Sequence, residues 1–217
     1  MSALTPIKIR AEVDVVERPA VLFGAQKVAK ALRAVTGVDW PIELTICEMG
    51  GLSAAAGDIA VLSLLSELGR EEPFEETVAR WRSRTERLVA DGVIVMLLTV
   101  FRAVSERRTP QGQRLIERIR RLDRMALDLS HDVGVTVVDI DRALAHVGGR
   151  VLGTDYRISS RLAADVAGHS FALSLLSLGL DDNIPPATQE RARTHLGPLR
   201  EIDSVVRRRI AKARQAA

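Results

Sequence analysis

Short apolar runs alternate along this chain with longer stretches whose apolar residues recur three or four positions apart. Val93–Val100 (VIVMLLTV) has no charged residue, which is typical of a strand covered on both faces in a parallel sheet. Pro110–Asp132 carries Leu and Ile at helical spacing, which is typical of an amphipathic helix. Such alternation implies right-handed crossovers with helices on both faces of the sheet. The sequence therefore predicts an α/β fold with a mostly parallel sheet.

The predicted elements also locate a functional edge. Five strands are predicted at Ala20–Gly24, Ile42–Cys47, Ile59–Leu65, Val93–Val100 and Val135–Ile140. Helices are predicted at Ala25–Val35, Pro73–Ala90, Pro110–Asp132, Asp141–Val147 and Ser159–Leu178, and a loop at Met49–Gly57. Ligands of such sheets bind at the carboxyl ends of the strands. The segments expected there are Gly24–Lys27, Glu48–Ser53, Ser66–Glu72, Phe101–Arg108 and Thr154–Ser160.

The charge of the chain is unevenly distributed. The 217 residues are enough for one sizeable core, which we assign to an α/β domain over residues 1–183. Pro185 and Pro186 interrupt the chain, and residues 184–217 are predicted to form a basic helical tail. From Pro186 onward seven Arg and one Lys stand against three acidic residues. This tail is expected to contact nucleic acid or an anionic surface, or else to be a solvated or partner-docking helix.

Few residues suit metal or redox chemistry. Cys47 is the single cysteine, so an internal disulfide and a thiolate zinc site are both excluded. It is either a reactive thiol or a buried core residue. The four histidines show no metal-ligand spacing, and we expect neither a metal nor a cofactor. No apolar run is long enough to span a bilayer and no signal peptide is evident, so a cytoplasmic location is expected.

Three parts of the chain resemble the SGNH (GDSL-type) hydrolases. They are Asp58–Leu64 (DIAVLSL), Val93–Leu98 (VIVMLL), and Val137–Ile140 (VVDI) followed by Gly153–Ser160 (GTDYRISS). The resemblance covers roughly residues 20–180 and implies a three-layer α/β/α fold with flavodoxin-like topology. It also implies acyl transfer, in which a serine attacks an ester, a histidine acts as base, and amide groups hold the oxyanion.

Carried over to this sequence, the resemblance finds few of those groups. The position of the serine falls on Gln26 and that of the histidine on Ile158, and neither residue can perform the role. The position of an asparagine that holds the oxyanion falls on Glu67, whose carboxylate would repel it. A degenerate member of the family is therefore the first interpretation, and a generic doubly wound fold is the other.

The remaining positions of the resemblance are compatible with binding. The glycine that holds the oxyanion falls on Gly50 or Gly51, and the aspartate of the last block falls on Asp155. Arg157, at the mouth of the predicted site, could clamp a phosphate or carboxylate, or could pair with Asp155. The predicted ligand-binding residues are therefore Gln26, Gly50, Gly51 and Arg157.

A rearranged catalytic site is the alternative to a binding site. Its candidates are Ser53, Glu67, Asp155 and His169, with Ser53 as a displaced nucleophile and His169 as base. Each has a plainer interpretation, because loop serines are common helix caps and Asp165 with His169 is an ordinary helix pair.

These residues leave three functions open. The first is a binding protein with a degenerate esterase site, whose partner is a protein or a small acyl-containing ligand. The second is an ester hydrolase or acyltransferase, and the third is an accessory factor that acts through the basic tail. The oligomeric state does not follow from the sequence.

Overall fold

One all-parallel sheet runs through the centre of the protein, which the computed structural model describes over residues 4–202, 206–208 and 211. Its strands are β1 (Ile7–Glu12), β2 (Ile42–Cys47), β3 (Ile59–Ser63), β4 (Ile94–Leu98) and β5 (Thr136–Val138). They lie in the order β2-β1-β3-β4-β5, and every neighbouring pair is parallel. This is the flavodoxin-like order, so the predicted sheet is confirmed.

Helices cover both faces of this sheet, which confirms the three-layer arrangement. They are α1 (Arg18–Thr36), α2 (Phe74–Ala90), α3 (Pro110–Val133), α4 (Ile140–Val147), α5 (Gly149–Leu152), α6 (Arg161–Leu178) and α7 (Pro186–Leu196). A short 3₁₀ helix, Leu65–Gly69, follows β3. Strand β5 is shorter than the strand predicted at Val135–Ile140, because the next helix already begins after Asp139. The Asp139 side chain accepts a hydrogen bond from the Arg142 N–H and caps the start of α4.

The first predicted strand, Ala20–Gly24, is wrong, because this segment lies inside α1. Its buried residues continue at helical spacing as far as Leu32, so the five-residue apolar run is part of a longer buried stripe. Pro19 fits the first turn of this helix, where no backbone N–H is needed. A short apolar run cannot by itself distinguish a buried helix segment from a strand.

The true first strand is β1, which precedes the region that the resemblance covers. Apolar and charged residues alternate in its sequence, IKIRAE, and the apolar residues Ile7, Ile9 and Ala11 all face the core beneath α1. Lys8 therefore faces the other side of the sheet, where it is exposed. A search for continuous apolar runs misses this strand, because charged residues separate its apolar ones.

The sheet separates two cores. The α1 face, as we call it, packs β1, β3 and β4 against α1, α4, α6 and α7. The α2 face packs the other side of β3 and β4 against α2 and α3, with Trp81, Ile119 and Leu122 fully buried. Consecutive residues of β3 show the division, because Ile59 belongs to the α1 face and Ala60 to the α2 face.

The start of the predicted tail packs against the rest of the protein. Helix α7 contacts α1 and α6, and Ala192 and Ile202 belong to the core of the α1 face. Three members of the basic run, Arg209, Lys212 and Arg214, lie outside the described residues. The division into a domain and a tail stays a prediction. None of the helices described is long and apolar enough to cross a membrane.

Candidate functional site

The carboxyl ends of the parallel strands meet at one edge of the sheet, which we call the carboxyl edge. Because β1 is the first strand, the segment that follows it is Val13–Glu17. This segment contains no Ser, Thr or Cys, and Val15 is its most exposed side chain, at 65%. Gln26, predicted to follow the first strand, lies instead on α1 and lines a cavity between α1 and α6.

Two buried carboxylates at the carboxyl edge, those of Glu12 and Asp141, are paired with arginines. Glu12, the last residue of β1, lies 2.8 Å from the Arg84 guanidinium and accepts a hydrogen bond from the Leu52 N–H. Asp141, in the first turn of α4, accepts hydrogen bonds from the backbone and side chain of Arg102. Each pair joins elements distant in sequence and neutralises a buried charge.

Glu67 is the most enclosed of the predicted catalytic residues, at 2% exposed. Both of its carboxylate oxygens accept hydrogen bonds from Arg80, at 3.1 and 2.7 Å, and Arg70 lies 3.2 Å away. The Nε–H of Arg118 donates to its carbonyl oxygen at 2.9 Å. This bidentate pair connects the 3₁₀ helix to α2 and leaves Glu67 no free oxygen for acid–base work.

Asp155 and Arg157 pair with each other. The Arg157 guanidinium lies 2.5 Å from the Asp155 carboxylate, and the Arg157 N–H donates to the same side chain. Burial acts to raise the pKa of Asp155, but these hydrogen bonds from Arg157 outweigh it and lower the pKa. The aspartate is therefore a stable anion, and the pairing interpretation of Arg157 agrees with the geometry.

Ile158 lies three residues after Asp155 in a strained backbone conformation. Its φ is +50°, which makes it the one non-glycine residue with positive φ in the described chain. Left-handed backbone is unfavourable for a β-branched residue. The side chain is 4% exposed and belongs to the core of the α1 face, so packing holds this conformation in place.

The other candidates lie apart from these pairs. His169 is buried in α6, and its Nε2–H donates to the Gly197 carbonyl oxygen at 2.9 Å. Burial lowers its pKa, so the neutral imidazole is favoured. Ser53 is exposed on the loop after β2. Among the described residues, no hydrogen bond joins any two of Ser53, Glu67, Asp155 and His169.

Gly50 and Gly51, the glycines predicted to bind a ligand, form a turn on the same loop as Ser53. The Gly51 N–H donates to the Glu48 carbonyl oxygen at 2.9 Å, and Gly50 has a φ of +81°. Both residues are exposed. The positive φ explains a glycine at position 50 as a requirement of the turn, whatever else the loop does.

One cavity of about 280 Å³ opens where β4 and β5 end, and we call it the carboxyl-edge cavity. Its polar lining comes from the strand ends and from α3. The lining residues are Thr99, Arg102, Arg120, Asp123, Arg124, Leu127, Val137, Asp139 and Asp141. No group of three or more metal-ligating side chains occurs within the part of the chain that the structure describes.

Two acids near the carboxyl edge, the half-buried Asp123 and the buried Glu17, have a raised pKa. Burial raises the pKa of Asp123 to about 7, although the Val100 N–H donates to it at 2.8 Å. Burial also raises the pKa of Glu17 to about 7, against hydrogen bonds from Ser63 and the Asp14 backbone. Carboxyl groups with raised pKa occur at functional sites more often than elsewhere.

Sequence reasoning missed the acids of the carboxyl-edge cavity. Asp139 lies inside the strand predicted at Val135–Ile140, although an acidic residue directly after three apolar or β-branched ones was a usable signal that the strand ends there. Asp123 comes from the middle of α3, where its polar character is indistinguishable from that of the solvated face. Only the packing of α3 on the sheet reveals that it enters the site.

Comparison with known proteins supports the fold. No protein-family profile and no curated protein sequence matches this chain. Among solved structures, it is similar to a protein from Slackia heliotrinireducens that is provisionally described as an SGNH hydrolase, with a TM-score of 0.51 and 12% sequence identity. The match covers 80% of this chain and 100% of that one. At this identity the likeness establishes the fold, not the role of any residue. The chain therefore has an α/β/α fold like that of an SGNH hydrolase.

Proposed function

We propose that this protein is a non-hydrolytic domain with an SGNH-like fold, which binds a small polar ligand in the carboxyl-edge cavity. The observation that carries the proposal is the pair of aliphatic residues Val15 and Ile158. Val15 is the exposed residue of the segment after β1, and Ile158 follows Asp155 where the resemblance expects a histidine. Neither side chain can attack a carbonyl carbon or accept a proton.

The pairing of the carboxylates supports the same conclusion. A general base needs a lone pair that can reach a substrate, but Glu67 and Glu12 are buried and bonded to arginines. His169 donates its Nε2–H to a backbone carbonyl from a buried position. None of these three side chains is therefore free to accept a proton from a nucleophile at the carboxyl edge.

The carboxyl-edge cavity offers hydrogen-bond acceptors to a ligand. Asp123 and Asp139 each use one carboxylate oxygen to accept a backbone N–H, from Val100 and Arg142, both at 2.8 Å. The second oxygen of each remains available. Leu127 adds an apolar wall. This lining suits a small molecule with hydroxyl or amino donors.

Hydrolysis of p-nitrophenyl acetate tests the first half of the proposal. We expect the protein to release p-nitrophenol no faster than buffer does, and Ser53→Ala and His169→Ala to change nothing. Turnover that either substitution abolishes would contradict the proposal. It would favour instead an ester hydrolase or acyltransferase that uses Ser53, Glu67, Asp155 and His169.

A matched pair of variants tests the second half. Small polyols and amines would be screened by ligand-observed NMR against the parent protein, Asp123→Asn and Asp132→Asn. Asp132 lies on the same helix but outside the cavity lining. We expect a ligand whose affinity falls about tenfold in Asp123→Asn, the loss of one charge-assisted hydrogen bond, and is unchanged in Asp132→Asn. Equal affinities for both variants would place the ligand elsewhere.

A further inference from the structure

A second cavity, between α1 and α6, carries an excess of positive charge. Its volume is about 330 Å³, which lies at the lower end of the range of roughly 300–1,000 Å³ for ligand pockets. Lys27 and Lys30 reach it from α1 and Arg161 from α6, and Gln26 adds amide N–H donors. It shares no lining residue with the carboxyl-edge cavity, so it is a separate site.

The cations of this cavity differ in how they are held. Lys27 lies 2.9 Å from Asp165, and both side chains are mostly buried, at 23% and 21% exposed. Within the described chain, neither Lys30 nor Arg161 forms an ion pair, and both are exposed. Three cations therefore line the cavity with one carboxylate. The net charge of this lining complements a dianion.

Two other arginines at the surface already have carboxylate partners. Arg82 lies 2.6 Å from Asp132, and Arg124 lies 3.0 Å from Asp128. Their guanidinium groups already have carboxylate partners, so an incoming anion would have to compete with those carboxylates. The cavity between α1 and α6 is therefore a stronger candidate for an anion site than the surface around these two arginines.

The side chains that line the cavity indicate the chemical class of its ligand. A guanidinium presents a fork of N–H donors that matches two phosphate oxygens, and an ammonium adds a second charged contact. Phe23 and Leu162, both half-buried, provide apolar walls beside these donors. We propose that this cavity binds a small organic phosphate, with Arg161 and Lys30 contacting the phosphate and the apolar walls contacting the organic part.

Calorimetric titration with two probes, inorganic phosphate and phenyl phosphate, tests this proposal. The cavity variant is Lys30→Gln with Arg161→Gln. The control variant is Lys8→Gln with Arg150→Gln, which removes the same charge from exposed positions on β1 and α5. We expect the parent and the control to bind phenyl phosphate more tightly than inorganic phosphate. The cavity variant should lose at least about tenfold in affinity, the equivalent of one charge-assisted hydrogen bond.

Three results would overturn the proposal. The first is a parent protein that binds neither probe, and the second is equal binding of phenyl phosphate by the two double variants. The third is equal affinity for the two probes, which would show that the apolar walls do not contact the organic part of the ligand. All four substituted side chains are exposed, so the variants should fold, and circular dichroism checks this. The Asp123→Asn experiment concerns the other cavity, so either proposal can fail without the other.

Discussion

The two faces of the sheet are held by different kinds of contact. On the α1 face, α1 and α6 meet at glycines, where a Cβ added to Gly168 would lie only 2.6 Å from the carbonyl oxygen of Ala20. On the α2 face, α2 and α3 carry charged side chains, and Arg121 lies 4.0 Å from the ring centre of Phe74 and 3.1 Å from Glu75. One face thus has helices in close backbone contact, and the other has amphipathic helices joined at the surface by exposed ion pairs.

This difference predicts which substitutions each face tolerates. Close backbone contact leaves no room for a methyl group, because backbone atoms cannot move without disturbing a whole helix. Exposed ion pairs contribute little, because solvent replaces most of what is lost. The exceptions on the α2 face are Glu67 and Glu12, whose carboxylates are buried and paired with arginines of α2.

The largest effect is expected from Gly168→Ala. The added Cβ would clash with the Ala20 carbonyl oxygen, so the free energy of unfolding should fall by about 3 kcal/mol or more. Urea denaturation measures this. The matched control is Gly69→Ala, whose added Cβ would meet no atom within 4 Å and should change stability by less than about 0.5 kcal/mol. Equal losses for the two variants would contradict the difference between the faces.

Glu67→Gln should produce a loss of about 3 kcal/mol, because it removes a buried charge and leaves Arg80 without its bidentate partner. Glu75→Gln is the control on the same face, since the Glu75 side chain is 80% exposed and should cost less than about 1 kcal/mol. Chemical denaturation of both variants at neutral pH gives the comparison. If Glu67→Gln left stability unchanged, the Glu67–Arg80 pair would not anchor α2 to the rest of the α2 face.

Glu17→Gln should stabilise the protein in a pH-dependent way. The folded pKa of Glu17, about 7, exceeds its ordinary value of 4.5, so the folded state retains a proton that the unfolded chain releases. Stability is therefore highest below the unfolded pKa and falls as pH rises through the folded one. The variant should match the parent near pH 4 and exceed it by about 2–3 kcal/mol near pH 8.

Thermal melts across this pH range test the sign of that effect. Asp123 shares the raised pKa, so part of the decline should persist in Glu17→Gln. Glu43→Gln, an exposed position on β2, should leave the pH dependence of the parent unchanged. A Glu17→Gln variant that loses stability at high pH would show that the buried carboxylate is favourable in its charged form.

The smallest effect is expected from Arg82→Ala. Arg82 pairs with Asp132 at the surface of the α2 face, and both side chains are about 40% exposed. The loss in melting temperature should be below that of the other variants that destabilise the protein, and high salt should abolish the difference from the parent. A large, salt-insensitive loss would mean that this pair is structural and that the α2 face resembles the α1 face more closely.

The contrast between the faces also explains what the sequence could predict. Helices α2 and α3 were predictable because one side is charged and the other apolar, which fixes both period and orientation. Part of α1 was assigned to a strand because its buried stripe includes Ala20, Val21 and Gly24 in close succession. Strand β1 was missed because Lys8 and Arg10 interrupt its apolar residues. Buried helices and half-polar strands are thus where periodicity is least informative.

The sequence predicted where the candidate site should lie, but not which side chains line it. A parallel sheet places strand ends together, so the segments containing Glu67 and Asp155 could be nominated from order alone. Glu67 and Arg80 lie on different elements, and their pairing depends on how α2 docks. The contribution of Asp123 depends on how α3 docks. Docking geometry is a tertiary property that local spacing does not encode.

The glycine contact between α1 and α6 joins the beginning of the chain to a region close to its end. During synthesis, β1 and α1 emerge from the ribosome long before α6, which packs against α1. Until α6 is made, the apolar side chains of α1 remain exposed to water or bound to chaperones. Closing so large a loop is entropically costly and slows folding. A polypeptide that stops short of α6 should therefore accumulate as an aggregation-prone species rather than as a smaller folded protein.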